Sequence, residues 1–109
     1  MKNSLDSNIS HWIINLQKEL NKNFNCSIPI DASNYNKTLA VCPILGFGLR
    51  GKIIEIIQTR LNDLNFNCGL PDGVFGKNTK NSILSLQKSE GLIPNGIIGF
   101  STWEKLLTL

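Results

Sequence analysis

The chain repeats itself. Leu16-Gln17-Lys18-Glu19-Leu20-Asn21 aligns with Ile57-Gln58-Thr59-Arg60-Leu61-Asn62, forty-one positions later. Phe24-Asn25-Cys26 then matches Phe66-Asn67-Cys68 with one inserted residue, and Asp31 and Thr38 match Asp72 and Thr79 back in the forty-one register. A register that recovers after an insertion marks a duplication, so the fold is expected to contain two related units. A shorter echo lies in the second half. Asp72-Gly73-Val74-Phe75-Gly76 followed by Thr79 resembles Asn95-Gly96-Ile97-Ile98-Gly99 followed by Thr102. Each reads as a tight turn feeding a helix, with Gly73 and Gly96 at positions where a Cβ would clash at positive φ. Asn78 and Ser101 fall where an N-cap is wanted, and Ser101-Thr102-Trp103-Glu104 has capping-box spacing.

Apolar spacing supplies the helices. Ile9, Trp12, Ile13, Leu16 and Leu20 form one amphipathic stripe, and Ile53, Ile54, Ile57, Leu61 and Leu64 repeat it. Ile83 and Leu86 mark a helix from about Asn78 to Glu90, with Gly91 as its C′ stop. Trp103, Leu106 and Leu107 belong to a last short helix, and Lys37 to Val41 to a shorter one ended by Pro43. Residues 43–48 read as an extended connector. With no β alternation, the expected fold is mainly α: a small bundle of short helices joined by Gly-rich turns, built from a degenerate and a complete copy of one repeat. The expected divisions are a start segment (1–8), a degenerate first half-repeat (9–45) and a complete module (46–109).

At 109 residues the chain fits one domain, and 41% hydrophobic residues suffice for a core. Charged residues are only 17%, and the eleven Lys and Arg, for a net charge of +3, are scattered without a basic run. Nucleic acid is not an expected partner, whereas a mild positive balance favours polyanionic surfaces such as a bacterial wall. No run approaches a membrane span, and Met1-Lys2-Asn3-Ser4-Leu5-Asp6 has no apolar region of the signal-peptide kind, so neither membrane nor a secretory signal in this chain is expected. Cys26, Cys42 and Cys68 contain no C-x-x-C pair and the single histidine is His11. Neither a metal nor a cofactor is expected. The thiols read as small buried or half-buried hydrophobes, a Cys26–Cys42 bridge remaining open.

Gly51 through Leu107 resembles the small three-helix peptidoglycan-binding domain of bacterial wall hydrolases, of the PG-binding-1 type. Ile57-Gln58-x-x-Leu61, the Asp72-to-Thr79 turn unit, Leu86-Gln87-x-x-x-Gly91-Leu92 and the Asn95-to-Leu106 unit carry the match in order. The first half is similar to the partial repeat that precedes a full one in clostridial amidases and phage endolysins, with Ala40-Val41-Cys42-Pro43 as its ending. It departs from the pattern in Asp31-Ala32, where Asp-Gly is usual, and in Tyr35, which replaces the second turn glycine; Leu86 replaces a common Phe in the second half. The resemblance implies a noncatalytic anchor holding an attached amidase or endolysin on the wall, outside the cell or released at phage lysis. Its partners would be peptidoglycan or an associated wall polymer and a hydrolase domain in the same parent protein. A self-association or scaffold module, forming homodimers through the first half, is the alternative.

Candidate ligand-binding residues are Gln58, Arg60, Asp72, Phe75, Gln87 and Trp103, each with a bland reading beside it. Asp72 and Asp31 suit turn initiation better than acid–base work, and no Ser-His-Asp, Cys-His or paired-carboxylate arrangement is evident. His11 is expected on the surface. Trp103 can stack on a sugar or fill the core, and Trp12 falls more firmly on a core stripe. Gln58 and Gln87 can bond loop backbone or ligand. Arg60 can grip a carboxylate or stand as an exposed helix charge, and Phe75 can pack under its turn or project from it. Gly73, Gly76, Gly96 and Gly99 are the structural turn residues. Valine at Gly73 or Gly76 is expected to unfold the turn, whereas alanine at Gln58 or Arg60 is expected to leave melting nearly unchanged.

Overall fold

The computed structural model describes residues 4–24, 26–31 and 35–109, with side chains from His11 onward except that of Tyr35. Five helices follow in order: α1 (Ser4–Asn23), α2 (Tyr35–Ala40), α3 (Lys52–Asp63), α4 (Lys77–Ser89) and α5 (Phe100–Thr108). Among the described residues no strand forms, only two isolated antiparallel bridges, Leu45 with Ile98 and Arg50 with Val74. The mainly α architecture expected from the apolar spacing is the observed one. The side chain of Ile9, the Ala32 turn position and the side chain of Tyr35 lie outside the described residues.

One core draws on both halves of the chain. Helix α1 packs against α3, α3 against α4, and α2 against α5. Leu16 and Leu20 of α1 are fully buried with Ile54, Ile57 and Leu61 of α3, Ile83 and Leu86 of α4, and Leu106 of α5. These are the positions that recur at three- and four-residue steps, and burying such side chains supplies the main favourable term. Among the described residues, the polar side-chain atoms buried with them find partners, Arg60 Nη1 excepted. The Trp12 indole donates to the Ile56 carbonyl at 2.6 Å, and the Trp103 indole donates to Pro43 at 2.7 Å. Both tryptophans are core.

The connector between the halves is extended only as far as Gly46; it then turns, with Gly48 at φ 98° and Leu49 N–H on the Gly46 carbonyl at 3.3 Å, and it pairs with both turn units. Leu45 and Ile98 exchange backbone hydrogen bonds at 3.1 and 2.8 Å; Gly48 donates to Phe75, Phe75 to Leu49, and Gly51 to Gly73. The helix ends follow backbone logic. Asn65 adopts φ 68° after α3, and Phe66 N–H reaches back to Leu61 at 2.8 Å; Gly91 at φ 71° and Leu92 N–H to Gln87 repeat the arrangement after α4. Both are left-handed helix terminations.

The helix starts differ from expectation. Asn78 and Ser101 are inside their helices, not at the caps. Gly76 and Gly99 occupy the N-cap positions in extended conformation, and neither start has a side-chain cap bond. The reason is that the first helical hydrogen bonds close directly onto the glycine carbonyls, Lys80 N–H onto Gly76 and Trp103 N–H onto Gly99. The turn runs straight into the helix and leaves no room for a separate capping residue, so Ser101 and Glu104 do not form a capping box.

Candidate functional site

The turn units are held by buried glutamines. Gln58 of α3 is almost fully enclosed, and its Nε2 lies 3.0 Å from Asp72 Oδ1, 2.9 Å from the Val74 carbonyl and 2.9 Å from Thr79 Oγ1. Its Oε1 accepts the Gly73 N–H at 2.9 Å. One side chain therefore ties α3, the turn and the first part of α4 together. Gln87 of α4 does the same one unit later. It donates to Asn95 Oδ1, the Ile97 carbonyl and Thr102 Oγ1 at 3.1, 2.9 and 3.0 Å, and accepts the Gly96 N–H at 3.0 Å. Gln17 of α1 donates to the Asp31 carbonyl and Thr38 Oγ1, and accepts the Asp31 N–H.

Asp72 completes its turn as a short polar side chain does, accepting the Val74 N–H at 3.0 Å, and Asn95 accepts the Ile97 N–H at 2.9 Å. The Val74 N–H, and then the Gln58 amide, hold the Asp72 carboxyl below the usual aspartate range. Both bonds favour the ionised form. Gly73 and Gly96 have φ of 78° and 74°. A Cβ on Gly73 would stand 3.1 Å from the Gly51 carbonyl oxygen, whereas on Gly96 it would meet only the flexible Lys80 chain. Gly76 and Gly99 need no left-handed backbone, with φ of −102° and −103°, and a Cβ on either would meet nothing within 4 Å. Positive φ thus belongs to the first glycine of each unit and not to the second, which corrects the expectation for valine at Gly76.

Five of the six candidate ligand-binding residues are interior. Gln58, Gln87, Phe75 and Trp103 are buried, and Arg60 is fully enclosed rather than an exposed helix charge. Arg60 Nε donates to the Leu106 carbonyl at 2.8 Å and Nη2 to the Leu109 main-chain oxygen at 2.6 Å, with the guanidinium 5.4 Å from the Trp12 ring centroid. It joins α3 to α5 and α1. Alanine at Gln58 or Arg60 would therefore strip buried polar groups of partners, so the expectation of unchanged melting is overturned. Asp72 alone of the six stands exposed.

The surface above these turns is apolar in a way the helical stripes did not reveal. Ile44, Ile93 and Phe100 are 74%, 80% and 65% exposed, and with Ile97 and Asn95 they line a groove of about 440 Å³ at the start of α5. Spacing alone puts Phe100 on the Trp103 stripe, but as the first residue of its helix it stays outside. The usable signal was Ile93-Pro94 before one turn and Leu70-Pro71 before the other, an exposed aliphatic residue ahead of each proline. His11 is exposed, as expected. The three cysteines are free thiols. Burial, with Cys26 nearby, pushes the Cys42 thiol up to about 12, so it stays protonated and a poor nucleophile. Among the described residues no group of three or more His, Cys, Asp or Glu side chains comes together.

Residues 50–106 match the PG_binding_1 family of peptidoglycan binding domains. The chain belongs to that family. The amidase CwlM of Mycobacterium tuberculosis, an N-acetylmuramoyl-L-alanine amidase, is 42% identical over 64 residues, 59% of this chain and 16% of the amidase. A crystal structure of a peptidoglycan-binding protein from Clostridioides difficile, in complex with glutamine hydroxamate, superposes with a TM-score of 0.56 at 41% identity, over 59% of this chain and 40% of that one. The SleB N-terminal domain gives 0.58 at 31% identity, over 60% and 89% of the two chains. This chain thus spans only a small part of the amidase and less than half of the C. difficile protein.

Proposed function

We propose that this peptidoglycan-binding module anchors an attached cell-wall hydrolase, of the amidase or endolysin kind, to the bacterial wall, and does so through the groove at the start of α5. The carrying observation is the exposed set Ile44, Ile93, Ile97 and Phe100 beside the Asn95 turn in a chain of this family. Aliphatic and aromatic surface suits sugar faces and methyl groups, and the nearby amide supplies directional bonds. Weak single-site binding suffices on a repeating insoluble polymer, because tethering raises the local concentration of the attached enzyme. In this reading Gln58, Gln87, Phe75, Trp103 and Arg60 serve binding by holding the loops, and Asp72 is the one candidate able to meet ligand directly. The first half, residues 9–45, acts as a partial copy that completes the core against α3.

The test is co-sedimentation with purified sacculi, before and after removal of teichoic acids, beside a turbidity assay. Saturable pelleting that survives stripping, without clearing, supports the reading. Pelleting lost with the teichoic acids moves the ligand to the wall polymer, and no pelleting on sacculi of several hosts overturns the anchor and favours self-association.

A further inference from the structure

A second groove, of about 470 Å³, lies between the segment 65–69 and one flank of α4. Its lining is uncharged and, unlike the groove at the start of α5, mostly polar. Asn78, Asn81, Ser82 and Ser85 recur along α4 at helical spacing, and Asn65 and Asn67 face them from the segment after α3, so its polar side chains are all amides and hydroxyls. No Asp, Glu, Lys, Arg or His lines it, although α4 itself carries Lys77, Lys80 and Lys88. Ser82 is committed to the Asn67 carbonyl at 3.0 Å, and Asn67 Oδ1 to the Gly69 N–H at 3.0 Å. The side chains of Asn65, Asn78, Asn81 and Ser85 make no hydrogen bond to other described residues and are exposed, with half-buried Phe66 between them and the core. The positive φ of Asn65 is accounted for by the end of α3 and leaves its carboxamide available.

Unspent carboxamides and hydroxyls around an uncharged depression select a ligand that is itself neutral and dense in donors and acceptors. A carboxamide pairs with another amide through both its N–H and its C=O. A charged peptide would give up hydration there without meeting an opposite charge. We propose that this groove binds the N-acetylhexosamine units of a glycan strand, the acetamido groups meeting Asn65, Asn78 and Asn81 and the ring hydroxyls meeting Ser85. The inference rests on the wall-binding reading and names the part of the polymer that is recognised.

The experiment is an amide-resolved NMR titration of the whole chain with an N-acetylglucosamine hexamer and, separately, with the deacetylated glucosamine hexamer. Saturable shifts at Asn65, Asn78 and Asn81 with the first and not the second are expected. The Asn78→Ala/Asn81→Ala double variant, both changes on an exposed helix flank, and Asn65→Gly, which keeps the positive φ, should each lose saturation while melting as the parent does. Absence of shifts, shifts confined to other residues, equal response to the deacetylated hexamer, or undiminished binding by both variants would overturn the proposal. Sacculus pelleting without hexamer shifts sinks this groove but leaves the anchor standing; hexamer shifts without pelleting do the reverse.

Discussion

The glutamine of the first half and those of the second do the same mechanical job on different loops. Gln17 grips the Asp31 main chain from both sides and reaches Thr38 in a six-residue helix. Gln58 and Gln87 each grip a glycine at positive φ, a carbonyl beyond it, and a threonine in a longer helix. A second difference sits two residues on from Gln17 and Gln58, at aligned positions. Glu19 of α1 is half-buried at the surface, whereas Arg60 is enclosed and bonded to α5. A glutamine tie is thus enough to close a loop against its helix. Projecting an apolar groove from that loop needs a glycine in the turn and a longer following helix, as in the second half.

The comparison is broken most directly by removing the ties. Gln87→Ala and Gln58→Ala each leave a buried N–H, a carbonyl and a threonine hydroxyl short of a partner, and each should cost about 3 kcal/mol in denaturant melts. Gln17→Ala should cost about half as much. Gln87→Ala alone should also sharply weaken sacculus pelleting at temperatures where it is folded, because its loop carries Ile93 and Ile97. Arg60→Ala, which strips the Leu106 carbonyl and the Trp12 face, should cost about 2 kcal/mol, while Glu19→Ala at the aligned site should lie within about 0.5 kcal/mol of the parent. Equal losses at Arg60 and Glu19 would contradict the account.

Smaller effects sharpen it. Gly73→Ala should lose about 1–2 kcal/mol from its left-handed backbone, with more from the close Gly51 oxygen. Gly76→Ser should instead gain about 0.5 kcal/mol or less by capping α4, measured in the same melts. The Asp72 unit should also respond to acid where the Asn95 unit does not. The folded pKa of Asp72 is lowered relative to the unfolded chain. Its contribution is therefore present at neutral pH and is lost as pH falls through that lowered value. Asp72→Asn, which copies the Asn95 unit, should flatten that part of the melting-versus-pH curve; an unchanged acid slope would count against the Val74 and Gln58 bonds as its cause.

Most of the fold was legible because burial follows spacing. The stripes through Leu16 and Leu20, and through Ile54, Ile57 and Leu61, became the α1–α3 core. Gly73 and Gly96 were readable from turn dipeptides, and Gly91 from its place after a helix. The caps were not, because Asn78 and Ser101 resemble capping residues whereas the turn geometry hands that place to Gly76 and Gly99. The candidate site was legible mainly as chemistry and little as location. Gln58, Gln87 and Arg60 are polar residues with specific partners, but those partners are loop and helix carbonyls far away in sequence, as Arg60 and Leu106 are. Ile93 and Phe100, apolar by type, stay outside because they flank a turn and open a helix.

The central claim is that the exposed apolar residues of the second turn unit, and not the buried polar ones beneath it, meet the wall. It is tested by pelleting the parent and an Ile93→Ser/Phe100→Ser variant on the same teichoic-acid-free sacculi, with melting temperatures measured alongside. Both side chains are largely exposed, so the variant should melt within a few degrees of the parent and lose most of its pelleting. A variant that folds and pellets like the parent would show that the wall is bound elsewhere on the domain.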